Sequence, residues 1–541
     1  MYANVATRRR ARIAAPALLA LALSVCGGLL AACGGSGSSA PALPASRTAP
    51  MFSIFEAEGS LHADPPGTLA TLRALGADTV RVYIAWGGSG FAPMAPDPTG
   101  PRPPAGFNGA DPAAYPPASW ASFDTILRDA ARAGLHVDLT LGGPPPLWAR
   151  GAGDPGHPAH PQWRPDIAAF GRWVQAVGRR YSGRYRDPAT GARLPRVDFW
   201  GIWNEPNFGP DIAPQAPNGV AVSPGIYRNL LDAAWRSLQA TGHAHDTVLI
   251  GELAPYGQGF GRGPGNFGYM VPLRFLRTLY CVDASLHPLR GAGATAVACP
   301  SGGDPHAFRA AHPELFAATG LALHPYAQGP PSVSLPGEPD YANLAALPQV
   351  EHTIDGIFTA YGSSRRLPLF STEFGVHTNP PETVYGTVSP VQATIYMNQA
   401  EYLSWRDPRM RSFSQYLLAD GPRGIFATGL EFNSGRPKPG YAAYRMPLYL
   451  PVERLQAGQP LEVWGAARAA RYAPTGGRRV EIQFRAAGAT AFGTIRTVTL
   501  AAGSVYFDLL QRFSGTGSVR TAWRAPGGQT FFSRTVELTT H

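Results

Sequence analysis

Residues 120–141 have the sequence WASFDTILRDAARAGLHVDLTL, an amphipathic stretch followed by a short apolar run. The stretch predicts a helix over Trp120–Ala133, and the run predicts a strand over His136–Leu141. The same alternation recurs from about residue 50 to residue 446, in eight β/α units. Such a repeat is typical of a parallel sheet that is closed as a (β/α)₈ barrel. An open doubly wound sheet is the alternative, but it would need a nucleotide-binding fingerprint at a strand–helix turn.

The remaining units of the predicted barrel have the same composition of short β-branched runs and longer amphipathic stretches. The further predicted strands are Phe52–Glu56, Thr79–Trp86, Val197–Asn204, Thr247–Glu252, Leu321–Tyr326, Pro368–Phe374 and Met410–Leu418. The further predicted helices are Gly67–Leu75, Ile167–Tyr181, Pro224–Thr241, Met270–Leu279, Asn343–Tyr361 and Pro390–Trp405.

After Met446 the pattern changes to short alternating runs that are separated by glycine-rich turns. It predicts a small antiparallel β-sandwich of immunoglobulin or fibronectin type III character. We therefore expect a barrel domain at 51–446 and a sandwich domain at 447–541. The sandwich is expected to act mainly as a prop for the barrel, and binding of carbohydrate or of the anionic cell envelope through its positive charge is the alternative. The predicted strands of the sandwich are Leu461–Ala466, Arg479–Ala486, Thr494–Leu500, Ser504–Leu510, Gly517–Trp523 and Thr530–Leu538.

The first 33 residues have the features of an export signal: an arginine-rich start, then the apolar run Ala14–Ala32. The run ends in Leu30-Ala31-Ala32-Cys33-Gly34, which resembles the bacterial lipobox, whose cysteine is lipidated and becomes the mature N-terminus. A plain signal peptide and an uncleaved anchor helix are the alternatives. Residues 34–50 are expected to form a flexible tether. The sequence thus predicts an exported protein, either lipid-anchored at the outer face of a bacterial membrane or secreted.

The net charge of +10 is unevenly distributed. Four arginines and no acidic residue lie in the first 32 residues, and 11 arginines face 5 acidic residues from residue 450 onward. The chain between these parts is neutral, whereas a nucleic-acid enzyme would concentrate positive charge around its cleft. No nucleic-acid partner is therefore expected. Beyond the leader, Cys281 and Cys299 form an even pair, which in an exported protein predicts a disulfide, with two free thiols as the alternative.

Two glutamates lie at the ends of predicted strands. Trp203-Asn204-Glu205-Pro206-Asn207 ends the fourth strand, and Ser371-Thr372-Glu373-Phe374-Gly375 ends the seventh. Active sites of such barrels lie at this end, so the two carboxylates are expected to converge. Pro206 disfavours helical dihedrals for Glu205, which predicts an extended backbone there. Two convergent carboxylates suit the cleavage of a glycosidic bond, and two unrelated solvated glutamates are the alternative.

Together with Arg81 on the second strand and Leu323-His324-Pro325-Tyr326 on the sixth, these motifs resemble those of the clan A retaining glycoside hydrolases. This (β/α)₈ superfamily includes cellulases, β-xylosidases and α-iduronidases, and the resemblance covers the whole barrel. It implies that Glu373 is the nucleophile and Glu205 the acid/base. It also implies that Arg81, His324 and Tyr326 lie near the nucleophile or the sugar, and that Asn204 binds the sugar 2-hydroxyl.

The eighth strand departs from the pattern of that clan, because many members place a tryptophan at its end as the floor of the sugar site. Here Phe413–Leu418 contains no tryptophan, so Gln415 or Tyr416 is expected to take that place. Trp203 is expected to stack on a sugar ring, and Trp86 is expected either to stack on a sugar ring or to pack in the core.

Three other strand-end glutamates and a pair of histidines receive no single predicted role. Glu56, Glu58 and Glu252 at strand ends are expected either to bind hydroxyls or to satisfy backbone groups. The pair His157 and His160 has no convincing further ligand, so neither a metal nor a cofactor is predicted.

Two other functions remain open at this point. A catalytically inactive barrel that binds carbohydrate would need neither carboxylate, and a transglycosidase that remodels envelope polysaccharide would use both.

Overall fold

A computed structural model of the 541-residue chain describes residues 50–88, 93–156, 162–258, 263–334, 339–385 and 388–541. The predicted export signal, with the lipidation residue Cys33, lies outside the described residues, as does the predicted tether apart from residue 50. The histidine pair His157 and His160 also lies outside them. Among the residues described, no helix combines the length and the apolar character needed to span a bilayer.

Eight parallel strands form the predicted barrel. In chain order they are β1 (Phe52–Glu56), β2 (Thr79–Ala85), β3 (His136–Gly142), β4 (Phe199–Ile202), β5 (Thr247–Leu253), β6 (Gly320–Leu323), β7 (Leu369–Ser371) and β8 (Ser412–Tyr416). The order in the sheet is β7-β6-β5-β4-β3-β2-β1-β8. The sheet closes between β7 and β8, where Arg411 N donates to Leu369 O (2.7 Å) and Tyr416 N donates to Phe374 O (2.7 Å). The (β/α)₈ barrel is thus confirmed.

All seven predicted barrel helices are present, and shorter ones lie between them. The helices are α1 (Glu58–Ala63), α2 (Pro65–Leu75), α3 (Pro117–Ala133), α4 (Ile167–Arg180), α5 (Ser223–Thr241), α6 (Pro272–Leu279), α7 (Gly291–Ala296), α8 (Pro305–Ala311), α9 (Pro313–Ala317), α10 (Leu347–Ala360), α11 (Pro390–Arg406) and α12 (Pro439–Arg445). The predicted helix from Asn343 begins late, because residues 344–346 form a tighter 3₁₀ turn.

The inside of the barrel changes from apolar to ionisable along the strands. Its lower part is filled by a small cluster of apolar side chains, namely Ile54, Phe199, Leu249, Ala322 and Phe370. Towards the carboxyl ends of the strands, Glu56, Arg81 and Asp138 lie in register on β1, β2 and β3, and all three are buried. Burying ionisable groups is costly unless they are paired, and such groups cluster at functional sites. This row of buried side chains therefore marks the candidate functional region of the barrel.

A disulfide joins Cys281 and Cys299, as predicted, with the two Cα atoms 5.7 Å apart. It ties the end of α6 to the end of α7, and both sulfurs are buried. The sulfur atoms accept hydrogen bonds from the Arg228 guanidinium at 3.2 and 3.8 Å.

We expect the double variant Cys281→Ala/Cys299→Ala to unfold at lower urea concentration than the parent protein. The disulfide spans 18 residues, and closing a loop of that length in the unfolded chain contributes about 3 kcal/mol to the free energy of unfolding. Equilibrium denaturation monitored by tryptophan fluorescence measures the difference. Reducing agent should destabilise the parent protein by a similar amount and leave the double variant unchanged; sensitivity of the variant to reductant would contradict this.

Two further sheets follow α12. The three-stranded one contains β9 (Leu448–Tyr449), β11 (Pro460–Ala466) and β14 (Tyr506–Arg512). The six-stranded one contains β10 (Arg454–Leu455), β12 (Arg479–Ala486), β13 (Gly493–Thr499), β15 (Gly517–Arg524), β16 (Thr530–Phe532) and β17 (Val536–Thr540). Its order is β10-β17-β15-β12-β13, with β16 also paired to β15.

The single strand predicted over Thr530–Leu538 is therefore wrong in detail. The segment forms two strands, β16 and β17, along the same edge of β15. Between them the hydroxyl of Ser533 accepts the Thr521 N–H at 2.9 Å, and this side-chain bond interrupts the ladder.

The three-stranded sheet packs against the barrel. Trp464 on β11 stacks on Tyr506 with the ring centroids 5.6 Å apart, and it contacts Tyr402 and Trp405 of α11. Next to it the fully buried Arg468 pairs with Glu401 of α11 at 2.5 Å. These contacts fix the three-stranded sheet to the barrel.

Candidate active site

Arg81 lies at the centre of the site, on β2, with 1% of its surface exposed. Each of the five N–H groups of its guanidinium can be matched with an acceptor. Nη1 donates to Glu56 and to Glu373 Oε1 (2.7 Å), Nη2 to Asn204 Oδ1 (2.9 Å) and Glu252 Oε2 (2.5 Å), and Nε to Thr140 Oγ1 (3.1 Å). One buried cation thus fixes residues that come from five strands or strand ends.

The two predicted carboxylates meet at His324, just beyond the end of β6. His324 Nδ1 lies 2.8 Å from Glu205 Oε1 and 3.5 Å from Glu373 Oε2. One oxygen of Glu205, one oxygen of Glu373 and the His324 nitrogen all lie within 4.8 Å of one another. The hydroxyl of Tyr326 donates to Glu373 Oε2 at 3.0 Å. Arg81, Asn204, Glu205, His324, Tyr326 and Glu373 are therefore brought together, as the sequence predicts.

The backbone at Glu205 differs from the predicted extended form. Its φ of +39° lies in the left-handed region, as do the φ angles of Trp203 and Glu252. Pro206 disfavours the right-handed helical region for the preceding residue, and the Glu205 N–H donates to Glu252 O at 3.1 Å. Left-handed backbone at residues other than glycine costs about 1–3 kcal/mol each and clusters at functional sites. With this backbone the Glu205 carboxylate lies 2.8 Å from His324 Nδ1.

Gly201, in the middle of β4, makes room for this arrangement. A Cβ atom at this position would lie 2.1 Å from Glu252 Oε1 and 2.6 Å from Thr140 Oγ1. Further along, the side chain of Asn207 binds Ala254 through both its amide and its carbonyl groups, at 3.0 and 2.9 Å. The end of β4 is thereby tied to the end of β5, which holds Glu205 and Glu252 in place.

The surroundings separate the pKa values of the two carboxyl groups. Burial would raise the pKa of Glu373, but the charges of His324 and Arg81 and the Tyr326 hydrogen bond outweigh it and hold this pKa below its ordinary value. Burial raises the pKa of Glu205, and the hydrogen bond and charge of His324 offset it only in part. One carboxyl group therefore favours the ionised form and the other the protonated form, which is the division that acid/base chemistry with a nucleophile needs.

More carboxyl groups surround the pair than the motifs account for. Glu56, whose burial raises its pKa to about 7, is joined by Glu58, which has one buried oxygen without a hydrogen-bond partner. Asp138 and Asp211 lie outside the sequence motifs, and burial raises both pKa values well above the ordinary range. Asp138 could have been found from its inward position on β3, two residues before Thr140. Asp211 follows the Glu205 motif in a loop that gives no such signal.

Both candidate sugar-stacking tryptophans lie in the core instead of at the surface of the site. Trp86 is fully buried and stacks on Trp173 with the ring centroids 5.9 Å apart. Trp203 is also fully buried, packs against Phe170 and donates its Nε1–H to Asp211 O at 3.0 Å. Their rings support the ends of β2 and β4 from behind.

Aromatic rings that reach the mouth of the barrel come from β6, β8 and the segment after β8. Gln415 is buried, and its amide donates to Tyr416 O and Thr428 O at 2.8 Å, so it holds this segment in place. Tyr416 is only partly buried and meets Phe426 edge-on, with the ring centroids 5.3 Å apart. Phe426 also lies 5.7 Å from the ring of Tyr326. The end of β8, where the sequence has no tryptophan, thus carries Tyr416, and Phe426 packs against it.

Within the part of the chain that the structure describes, two groups of side chains have the residue types of a metal site. Glu205, His324 and Glu373 are one, and Asp232, His312 and Glu314 on the outer helices are the other. In both, a hydrogen bond accounts for the closeness: Glu205 with His324, and Asp232 with His312 at 3.0 Å. We therefore assign no metal to either group.

No protein-family model and no curated protein matches the chain. Among solved structures, a family 39 glycoside hydrolase from Bacteroides cellulosilyticus is 15% identical over 86% of this chain and 79% of its own, with a TM-score of 0.45. A glucosidase from Croceicoccus marinus is 12% identical over 87% and 82%, with a TM-score of 0.44. A β-glucosidase from Thermotoga maritima is 13% identical over 71% and 86%, with a TM-score of 0.41. These TM-scores are all below 0.5, so the functional interpretation comes from the side chains at the barrel mouth.

Proposed function

We propose that the protein is a retaining glycoside hydrolase that cleaves O-glycosidic bonds of an oligo- or polysaccharide. The observation that carries the proposal is the placement of Glu205 and Glu373, with one oxygen of each within 4.8 Å of the other. Carboxyl groups about 5–5.5 Å apart suit a double displacement, whereas inverting enzymes leave about 6.5–9.5 Å for a water molecule. The opposite directions of the two pKa shifts support the same division of roles.

In the first step Glu373, ionised and oriented by Arg81 and Tyr326, attacks the anomeric carbon. The bond from that carbon to the leaving oxygen breaks, and the proton of Glu205 passes to this oxygen. In the second step water attacks the anomeric carbon of the glycosyl-enzyme, Glu205 takes a proton from the water, and the carboxylate of Glu373 departs. His324 contacts both carboxyl groups and so keeps them at a fixed separation.

Asn204 is proposed to bind the sugar 2-hydroxyl. Its Oδ1 accepts from Arg81 and its side chain also hydrogen-bonds Asp211, which fixes the rotation of the amide. The second N–H of the amide can donate to a hydroxyl. Tyr416 and Phe426 are proposed to take the sugar-stacking role in place of Trp86 and Trp203, because only the former pair is partly exposed at the mouth.

The two other functions predict different outcomes. An inactive carbohydrate-binding barrel has no need of a depressed pKa on one glutamate and a raised pKa on the other. A transglycosidase would use the same residues, and product analysis with water competing against a sugar acceptor separates transfer from hydrolysis.

The test is covalent labelling with a panel of 2-fluoroglycosides and cyclitol epoxides, read by intact mass and then by peptide mapping. A label on Glu373 from one sugar configuration would establish retention, the nucleophile and the sugar together. A label on another residue, or no label from any probe combined with no hydrolysis of oligosaccharides, would overturn the proposal.

Export, anchoring and domain organisation are part of the same proposal. A lipid on Cys33 and a tether at 34–50 would hold a barrel domain at 51–446 and an immunoglobulin- or fibronectin-like sandwich at 447–541 outside the membrane. The disulfide between Cys281 and Cys299 suits an oxidising compartment. Mass spectrometry of the N-terminal peptide from the native host would show the lipid.

The pH dependence of kcat/KM should be bell-shaped, and its alkaline limb should belong to Glu205. Activity requires Glu373 ionised and Glu205 protonated, so it falls at low pH as Glu373 gains a proton and at high pH as Glu205 loses one. Because burial raises the pKa of Glu205, the alkaline limb is displaced upward from the ordinary range of a glutamate. In Glu205→Gln this limb should be absent on aryl glycosides whose leaving group needs no proton.

A second variant checks the same role. Glu205→Ala should lose activity that azide partly restores on activated aryl glycosides, since a small anion can enter the space left by the carboxylate. A retained alkaline limb in Glu205→Gln, or full activity of Glu205→Ala without azide, would assign the acid/base role to another group.

A further inference from the structure

The outer face of the six-stranded sheet carries arginines without carboxylate partners. Val480, Ile482 and Phe484 of β12 point into the core, so the alternate residues of this strand point outward. Directly opposed residues of neighbouring strands share a face, and Gln483 is opposed by Arg520 on β15. The outward arginines are Arg479 and Arg485 on β12, and Arg520 and Arg524 on β15. Among the described residues, none of these four lies within 4.0 Å of a carboxylate oxygen, whereas Arg468 and Arg471 nearby are ion-paired.

Two of these arginines are held in place by phenylalanine rings. The guanidinium carbon of Arg520 lies 4.1 Å from the ring centroid of Phe492 and 4.1 Å from that of Phe532. The guanidinium carbon of Arg485 lies 4.8 Å from the centroid of the same Phe492 ring. Arg520 Nε donates to Gln483 Oε1 at 2.9 Å, and the remaining N–H groups are left to donate outward. A stacked and oriented guanidinium loses little conformational entropy when it binds an anion.

The closeness of two unneutralised cations is unfavourable for the free protein. Burial and the neighbouring charge of Arg485 lower the pKa of Arg520, which is the sign of two like charges held together. The carboxylates of the same face form no direct ion pair with these arginines: Glu481 accepts from Thr494 and Gln483. Glu537 accepts from Ser518, whose hydroxyl in turn accepts from Arg485 at 3.1 Å. An anionic ligand would neutralise the two arginines, so the arrangement favours one.

The layout of the face suits a chain rather than a single ion. Arg520 and Arg524 lie four residues apart on β15, a distance of about 13–14 Å along the strand. Between them on the same face lies Ala522, with Gln483 opposite Arg520 and Glu481 opposite Ala522. The Glu481 carboxylate already accepts from Thr494 and Gln483. Phe532 is 40% exposed and offers part of an apolar ring to the face of a sugar. Arginine forms bidentate hydrogen bonds with carboxylates, so the face suits sugars that carry a carboxylate group.

We propose that this face, defined by Arg479, Arg485, Phe492, Arg520, Arg524 and Phe532, binds an acidic polysaccharide built from uronic acids. The site goes beyond the proposed hydrolase activity and does not depend on it, because it lies on a different sheet from the one packed against the barrel. It would hold the protein on an anionic polymer while the barrel acts on that polymer or on a neighbouring one.

The test uses the full chain carrying Glu373→Gln, so that a polymer is bound without being consumed. Affinity gel electrophoresis with polygalacturonate and with alginate is compared with the neutral polymer dextran. Polyuronates should retard the protein, dextran should not, and the retardation should weaken as salt rises. Adding Arg485→Ser/Arg520→Ser should weaken the binding of polyuronates at least tenfold.

The control Arg496→Ser/Arg512→Ser removes the same charge from the same region. Both arginines are exposed and donate to backbone carbonyls, of Leu510 and Gly458, away from the proposed face. The control should bind polyuronates within threefold of the parent. Equal losses in the two double variants, no retardation of the parent, or tighter binding to double-stranded DNA or phosphatidylglycerol vesicles would each overturn the proposal.

Discussion

Replacing Glu373 by glutamine is expected to lower kcat by roughly 10⁴- to 10⁶-fold, the range seen when a nucleophile that works in concert with its neighbours is removed. Glutamine keeps the shape of the side chain, and its single carbonyl oxygen can still accept from Arg81, which donates to Glu373 Oε1 at 2.7 Å. Its NH2 group replaces Oε2, the oxygen that accepts from Tyr326 at 3.0 Å. It cannot form the glycosyl ester. The loss should therefore appear in turnover and not in substrate binding. Steady-state kinetics together with binding of an unhydrolysed oligosaccharide measure both.

The matched control is Glu453→Gln, the same chemical change at an exposed position outside the barrel. It should leave kcat and KM unchanged. The Glu373 variant should also be slightly less stable than the parent at neutral pH. Because the pKa of Glu373 is held below its ordinary value, its charge contributes stability above that value, and the contribution is lost as the pH falls. Measurable turnover in Glu373→Gln that persists after exclusion of deamidation would place the nucleophile elsewhere.

The sequence predicted the barrel well because its local signals agree with its tertiary structure. The β/α alternation places all eight strands, and β1 (Phe52–Glu56) and the start of α4 at Ile167 are matched to the residue. The convergence of the Glu205 and Glu373 carboxylates was predicted because the carboxyl ends of parallel strands meet at one rim of the barrel. Short helices such as α8 and α9 were missed, since seven and five residues are too few for a periodic pattern.

The missed parts of the site depend on contacts between distant segments. Trp86 and Trp203 have the right residue type at strand ends, but packing against Trp173 and Phe170 turns their rings into the core. Phe426 is brought to the mouth by a segment held through Gln415 and Thr428. The convergence of Glu56 and Glu252 on Arg81 joins residues 25 and 171 positions away in the chain, and no local pattern encodes it.

Replacing Arg81 by methionine is expected to produce the largest loss of stability in the chain, about 3–5 kcal/mol at neutral pH, and to abolish turnover. Removing one partner of a buried ion pair leaves an uncompensated charge, and here three carboxylates, those of Glu56, Glu252 and Glu373, lose the same cation. Without Arg81 the pKa of Glu56, which burial already raises to about 7, rises further, and the pKa of Glu373 is no longer held down by the Arg81 charge. A raised pKa means that the folded state holds protons that the unfolded state releases, so the stability of the variant falls as pH rises.

The pH dependence distinguishes this explanation from simple loss of packing. Arg468→Met is the matched variant, since Arg468 is equally buried but pairs with Glu401 alone. Each additional proton held by the folded state adds about 1.4 kcal/mol per pH unit to the slope of stability against pH. Between pH 5 and pH 8 urea denaturation should therefore show a steeper decline for Arg81→Met than for Arg468→Met, and only the latter should retain activity. Should Arg81→Met fail to fold at neutral pH, refolding at pH 5 should recover it, because the carboxyl groups are then protonated. Parallel pH profiles for the two variants, or equal failure at both pH values, would show that Arg81 does not serve as the common counter-charge of the site.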